Sequence, residues 1–204
     1  MERRKYLSLV VTVPLVSSGG CMSAIDRSSQ EYSPDVSDLS FTATVLNQAS
    51  IEAPPTIEIA LRNDGPEPVE IGYGPALLFS DDVGSTEWAE AIAIEPDHRG
   101  ATIGPRPQQS GDCWSVSSDA DITITSMLNL ETLNSGEEVT ATVFVYGRSD
   151  PDSDQCYPPG EYRFEDQISF YEEFTFEIAL EISIGDNGQL SARGEQPYTI
   201  TEDN

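Results

Sequence analysis

In this chain of 204 residues the side chains with chemistry to offer are a run of alternating acids, two distant cysteines, one histidine and a few loop aromatics. Asp150, Asp152 and Asp154 take the first, third and fifth places of a loop whose twelfth place is Glu161. EF-hand loops gather oxygen ligands around calcium with that spacing. The sixth place, where the sharp turn favours glycine, is Gln155, and no amphipathic helix flanks the loop, so a solvated acidic loop is the competing reading. Cys113 and Cys156 lack CxxC spacing and have no histidine near them, which leaves a disulfide as their simplest use in an exported domain. Closing the chain between them contributes roughly 3 to 4 kcal/mol in the chain-entropy picture. His98 is the lone histidine, in the loop-like Pro96-Asp97-His98-Arg99-Gly100, and no serine occupies a G-x-S-x-G turn to serve as its nucleophile. Among 36 acids any pair of carboxylates can be drawn as a glycosidase pair, so none is informative, and Met1, Met22 and Met127 do not cluster as copper ligands. No catalytic residue and no cofactor is therefore assigned, calcium aside. Trp114 and Tyr157, with Trp88 and Tyr171, fall in or near expected loops, where such rings either stack on a sugar or protein partner or cap the end of a sandwich.

Cys21 offers chemistry of another kind. Arg3, Arg4 and Lys5 precede an apolar stretch from Leu7 to Val16, which is far shorter than the roughly 20 residues that span a bilayer. Ser17-Ser18-Gly19-Gly20 then leads into Cys21. That tripartite pattern is an export signal over residues 1–20. Arg3-Arg4-Lys5-Tyr6-Leu7 resembles the twin-arginine motif, and Gly19-Gly20-Cys21 resembles a lipobox, whose cysteine thiol receives a lipid. Ordinary secretory cleavage is the alternative. Residues 21–37, rich in Ser, Asp, Glu and Pro, read as a polar tether between that anchor and a domain over residues 38–204. The expected location is the extracellular face of the cell membrane, with the membrane itself as one partner.

The formal net charge is −26, from 36 acidic and 10 basic residues, which makes nucleic acid an unfit partner. The one lysine, Lys5, lies in the export signal, so every base beyond it is an arginine. Acid spread over the whole chain with no lysine resembles proteins of salt-loving archaea, an acidic mesophilic protein being the alternative. At molar salt the Debye length is roughly 3 Å, so like charges repel little and hydrated carboxylates keep the surface soluble.

From residue 38 onward, apolar and polar residues alternate between turn signals. Leu39 to Val45, Ile57 to Leu61, Val69 to Ile71, Trp88 to Ile94, Ile122 to Ile124, Val139 to Val145, Tyr162 to Phe164, Phe174 to Ile184 and Tyr198 to Ile200 read as strands. Asn63-Asp64-Gly65-Pro66 and Asp186-Asn187-Gly188 read as turns. The expected fold is all-β, an Ig-like antiparallel β-sandwich. Residues 97–118, rich in Gly, Pro, Gln and Ser, read as one long connection and as the best local candidate for a recognition surface.

Three landmarks stand in order along the domain. They are Ile57-x-Ile59-x-Leu61-x-Asn63-x-Gly65-x-x-Pro68-Val69-x-Ile71, then Leu133-Asn134-Ser135-Gly136-Glu137, then Pro159-Gly160-Glu161-Tyr162-Arg163-Phe164. This order resembles the Ig-like domains of haloarchaeal lipoproteins and is similar to the bacterial intracellular proteinase inhibitor domain. The resemblance implies a β-sandwich and, through the inhibitor domain, a protease-binding role at the cell surface, although no inhibitory loop maps residue by residue. The reading the sequence favours is a non-enzymatic surface lipoprotein that binds an extracellular protein or glycan.

Overall fold

A computed structural model of the chain describes residues 35–79, 91–117, 119–149, 155–170 and 174–199. The expected export signal, Cys21, nearly all of the expected tether, Trp88, Tyr171 and the acids Asp150, Asp152 and Asp154 lie outside the described residues. Asp35 caps a short 3-10 turn, Val36–Asp38, by accepting from the Ser37 N–H at 2.9 Å, and Val36 packs against the core.

Fourteen strands follow among the described residues, and most of them are the alternating runs of the sequence. The first sheet is built from β1 (Leu39–Asn47), β2 (Thr56–Asn63), β4 (Ile92–Pro96), β6 (Gln108–Ser110), β7 (Cys113–Ser117) and β10 (Glu138–Ser149). The second is built from β3 (Val69–Tyr73), β9 (Asn129–Leu133), β11 (Gly160–Phe170), β12 (Phe174–Ile184), β13 (Leu190–Gly194) and β14 (Tyr198–Thr199). A third, two-stranded sheet pairs β5 (Ala101–Gly104) with β8 (Asp121–Ile124). Strand order β1-β2-β10-β4 in one sheet and β12-β11-β3-β9 in the other follows the ABED and GFC order of an immunoglobulin sandwich, with β9 beside β3 as an extra edge. All pairings are antiparallel except that of β7 with β10. Gly147 pairs with Ile92 of β4 and with Ser115 of β7, so β7 runs along the edge of β10 that β2 occupies lower down.

Period-two burial explains how the two sheets meet. Phe41, Ile57, Ile59, Leu61, Val143 and Val145 point inward from the first sheet; Ile71, Phe164, Ile168, Ile178, Leu180 and Ile182 do so from the second. Phe170 and Phe176 meet edge-to-face with centroids 5.7 Å apart.

The segment expected to be one long connection is instead three strands and part of a third layer. Phe144 and Tyr146 face away from the main core. With Ala93 they form a second apolar cluster beneath Ile103, Val116, Ala120 and Ile122. The segment escaped the sequence reading because its strands are only three to five residues long, and Gln108–Ser110 is exposed throughout.

The two long sides of the sandwich are finished differently. On the β1–β13 side, Gln48 donates to the Leu190 carbonyl and accepts from its N–H, both at 2.8 Å. Gln196 donates to the Leu39 carbonyl at 2.5 Å, and Gly194 lies so close to Phe41 that an added Cβ would meet its carbonyl carbon at 2.6 Å. That side is stitched shut. On the side where β4 and β9 form the sheet edges, Asn63 joins the sheets at one end by donating to the Leu133 carbonyl at 2.9 Å, and beyond it a cleft opens.

Candidate functional site

Two places gather residues with chemistry. The first is the disulfide end. Cys113 opens β7 and is bonded to Cys156, with Cα atoms 5.5 Å apart. Gly147 allows the Cys156 segment to pass directly over β10, because an added Cβ would come within 2.9 Å of the Cys156 carbonyl carbon. The Tyr157 hydroxyl sits between the backbone groups of Trp114, accepting from its N–H and donating to its carbonyl, each at 3.2 Å. Burial is the main reason its pKa is pushed up to about 12, with the Trp114 backbone contact acting the other way.

Tyr157 lies, as expected, in the connection between β10 and β11, whereas Trp114 departs from the loop expectation. Trp114 lies on a strand, is half-buried against the second cluster, and donates its indole N–H to the Ser50 carbonyl at 2.8 Å. Tyr157 is only 9% exposed and belongs to the main core. Gln109 donates to the Ile51 carbonyl at 2.8 Å, tying the same end to the β1–β2 connection. At the disulfide end the Trp114 backbone, its indole N–H and the Tyr157 hydroxyl are thus engaged within the protein.

Glu161, the one described member of the acidic set, is exposed near the start of β11, opposite Ser183. It lines a shallow groove with Asn187, Gln189 and Ser191. Among the described residues no three His, Cys, Asp or Glu side chains gather as metal ligands.

The second place is the cleft on the open side, about 380 Å³ in volume. Tyr73 and Asn129, from β3 and β9, line it from one sheet; Asp97, His98, Thr140, Ala141 and Thr142 line it from the other, over a floor of Pro75, Ala76 and Leu77. Their backbone is firmly held. The Asp97 N–H donates to the Thr142 carbonyl at 2.8 Å, the His98 N–H to Pro96 at 2.8 Å, and the Ala101 N–H to His98 at 3.1 Å. The Thr125 N–H donates to the Gly100 carbonyl at 2.6 Å, so the turn carrying His98 is pinned from both its own strand and β8. Gly100 fits tightly: a Cβ there would stand 3.0 Å from both the His98 ring and Pro75.

The side-chain electrostatics follow from these contacts. His98 Nδ1 accepts from the Gly100 N–H at 3.0 Å, so a neutral ring carries its proton on Nε2 and presents a donor. The Tyr73 hydroxyl donates to Glu131 at 2.8 Å. Burial, and then that carboxylate, hold its proton far above the ordinary phenol range. Asn129 donates to the Gly74 carbonyl at 2.5 Å. The cleft thus offers the His98 donor, the Asp97 carboxylate and the β10 backbone from Thr140 to Thr142 over an apolar floor, which is the make-up of a recognition site.

Sequence reading singled out His98 and missed its neighbours. Thr140 and Thr142 read only as polar members of the alternating Val139–Val145 run, and Tyr73 and Asn129, on β3 and β9, fell outside the runs read as strands. The chain matches no protein-family model, no curated protein and no solved structure.

Proposed function

We propose that this chain is an exported lipoprotein that holds an Ig-like β-sandwich at the outer face of the cell membrane, where the domain binds a ligand without transforming it. The observation that carries this reading is the asymmetry of the sandwich. One side is stitched by Gln48 and Gln196; the other opens into a cleft lined by His98, Asp97, Tyr73, Asn129 and Thr142. The export signal and the lipobox-like Gly19-Gly20-Cys21 supply the anchor. The Cys113–Cys156 bridge suits a compartment outside the cytosol.

The test is a titration of the isotopically labelled full chain with mixtures of short peptides and of oligosaccharides, read by NMR. Shifts concentrated at Tyr73, Asp97, His98, Asn129 and Thr142, with the added compounds recovered intact, are the expected result. Shifts confined to the disulfide end, or no shifts at all, contradict the assignment of the cleft. Recovery of cleaved or modified compounds contradicts the non-enzymatic reading.

A further inference from the structure

The edge of β10 inside the cleft gives that ligand a chemical class. β10 pairs with β2 along one edge from Glu138 to Phe144, and with β4 along the other only from Val143 to Gly147. Three backbone bonds fix which residues face which edge. The Asp97 N–H donates to the Thr142 carbonyl and the Arg148 N–H to the Ala91 carbonyl on the β4 edge, whereas the Val145 N–H donates to Pro55 on the β2 edge. Successive residues of a strand present their backbone groups to alternate edges. The N–H and C=O of Thr140, and the N–H of Thr142, therefore face the cleft. No described residue pairs with these three groups.

The vacancy is built into the fold. β4 cannot extend along β10, because the chain turns at Pro96 into the pinned turn that carries His98. β2 keeps the opposite edge of β10 paired throughout, so the empty lane has a straight, preformed wall. Tyr73 and Asn129 close the lane from the second sheet. From Thr140 to Thr142 the lane is roughly 10 Å long, three residues at the rise of a strand.

We infer that the cleft receives an extended peptide segment, which adds to the free edge of β10 as a strand and carries a basic side chain toward Asp97. The inference rests on the reading of the cleft as the binding site. Backbone donors and acceptors at strand spacing are what another extended backbone complements, and strand addition of this kind derives affinity from main-chain bonds. The basic side chain follows from charge. Asp97 lines the lane, Glu131 lies beside Tyr73, and the chain as a whole carries −26. A polyhydroxylated sugar is the less complementary occupant, because the lane's one aromatic ring, Tyr73, is half-buried and its hydroxyl is given to Glu131.

The test measures affinity of the full chain for an N-acetylated, C-amidated tetrapeptide library of β-branched residues with arginine fixed at each position in turn. Two variants separate backbone from side-chain recognition. Thr140→Pro removes the N–H that faces the lane and leaves the β2 ladder intact, whereas Thr140→Val removes only the hydroxyl. The expected result is binding by the parent chain, affinity within about twofold for T140V, and a loss of about tenfold or more for T140P. Equal affinity of T140P and the parent overturns the inference. If T140P does not fold, the best tetrapeptide is N-methylated at its central amides and offered to the parent chain. A similar loss supports strand addition, and unchanged binding overturns it. Binding of oligosaccharides but not peptides at the cleft signals overturns the peptide and leaves the cleft as a site; binding of neither removes both.

Discussion

Asn63 has no accessible surface, and both ends of its amide are used. Its Nδ2 donates to the carbonyls of Glu67 at 2.8 Å and Leu133 at 2.9 Å, while its Oδ1 accepts from the Gly65 N–H at 2.9 Å. Its backbone accepts from Gly136 and donates to Glu137, so one residue fastens the β2–β3 turn to the β9–β10 turn. Asn63→Ala leaves those partners unpaired in the core and is expected to cost about 2 to 3 kcal/mol in chemical denaturation. Tyr157 makes a different demand. Its hydroxyl is held neutral to higher pH in the folded chain than in the unfolded one, from 10.0 to about 12. Its contribution is therefore complete below pH 10 and is lost as the pH rises from there toward 12. Tyr157→Phe is expected to lower stability at neutral pH by about 1 kcal/mol, for the lost contacts to Trp114, and to flatten the alkaline decline. A melting series between pH 8 and 12 reads both effects. Asn-x-Gly was legible as a turn and Cys113–Cys156 as a bridge, because each rests on residue types with few other uses. The burial of Tyr157 was not legible, since an aromatic after a bridged cysteine faces the core or the solvent according to contacts the sequence does not display.

Among elements, every long strand was legible, as were the short β3, β4, β8 and β14, while five other short strands were not. β12 alternates over eleven residues and β10 over most of twelve, enough periods to fix which face is buried. The missed β5, β6, β7, β9 and β13 are three to five residues long, and β5 and β7 gain their burial from the second cluster on the outer face of the first sheet. The cleft was illegible at this scale as well, because it arises from β4 stopping short of the length of β10. Across β11, β12 and β13 of the second sheet, Arg163 bonds Glu165 on its own strand, Glu181 on β12 and Glu195 after β13, while Arg193 reaches Glu181 at 2.5 Å. Hydrogen bonding to Glu181 and then to Arg163 holds Glu195 below the usual carboxylate range. A lowered carboxylate adds stability at neutral pH that is lost as the pH falls through its folded value. Arg163→Gln is expected to cost about 1 kcal/mol at neutral pH and low salt, less at molar salt, and less again in acid. Urea titrations in a salt-by-pH grid check all three; a cost independent of both variables would assign Arg163 to packing alone.

For the molecule as a whole, the carboxylate excess, the lipobox-like Cys21 and the Cys113–Cys156 bridge are what the proposal of an acidic domain held at a membrane surface brings together. The seven bases beyond the export signal are all arginines, and Arg62, Arg163 and Arg193 are spent on ion pairs with neighbouring acids. The fold class was legible from patterning because a sandwich is a sum of periodic strands. The place of the cleft was not, because it depends on an edge of β10 that β4 leaves uncovered. Whether the domain works where the account places it depends on Cys21. The most direct measurement is the intact mass of the native protein from the membrane fraction, with and without reductant. A chain beginning at Cys21, carrying added lipid and gaining two hydrogens on reduction, is the expected result. A chain that keeps Met1, or begins elsewhere without lipid, would contradict the anchored-lipoprotein account.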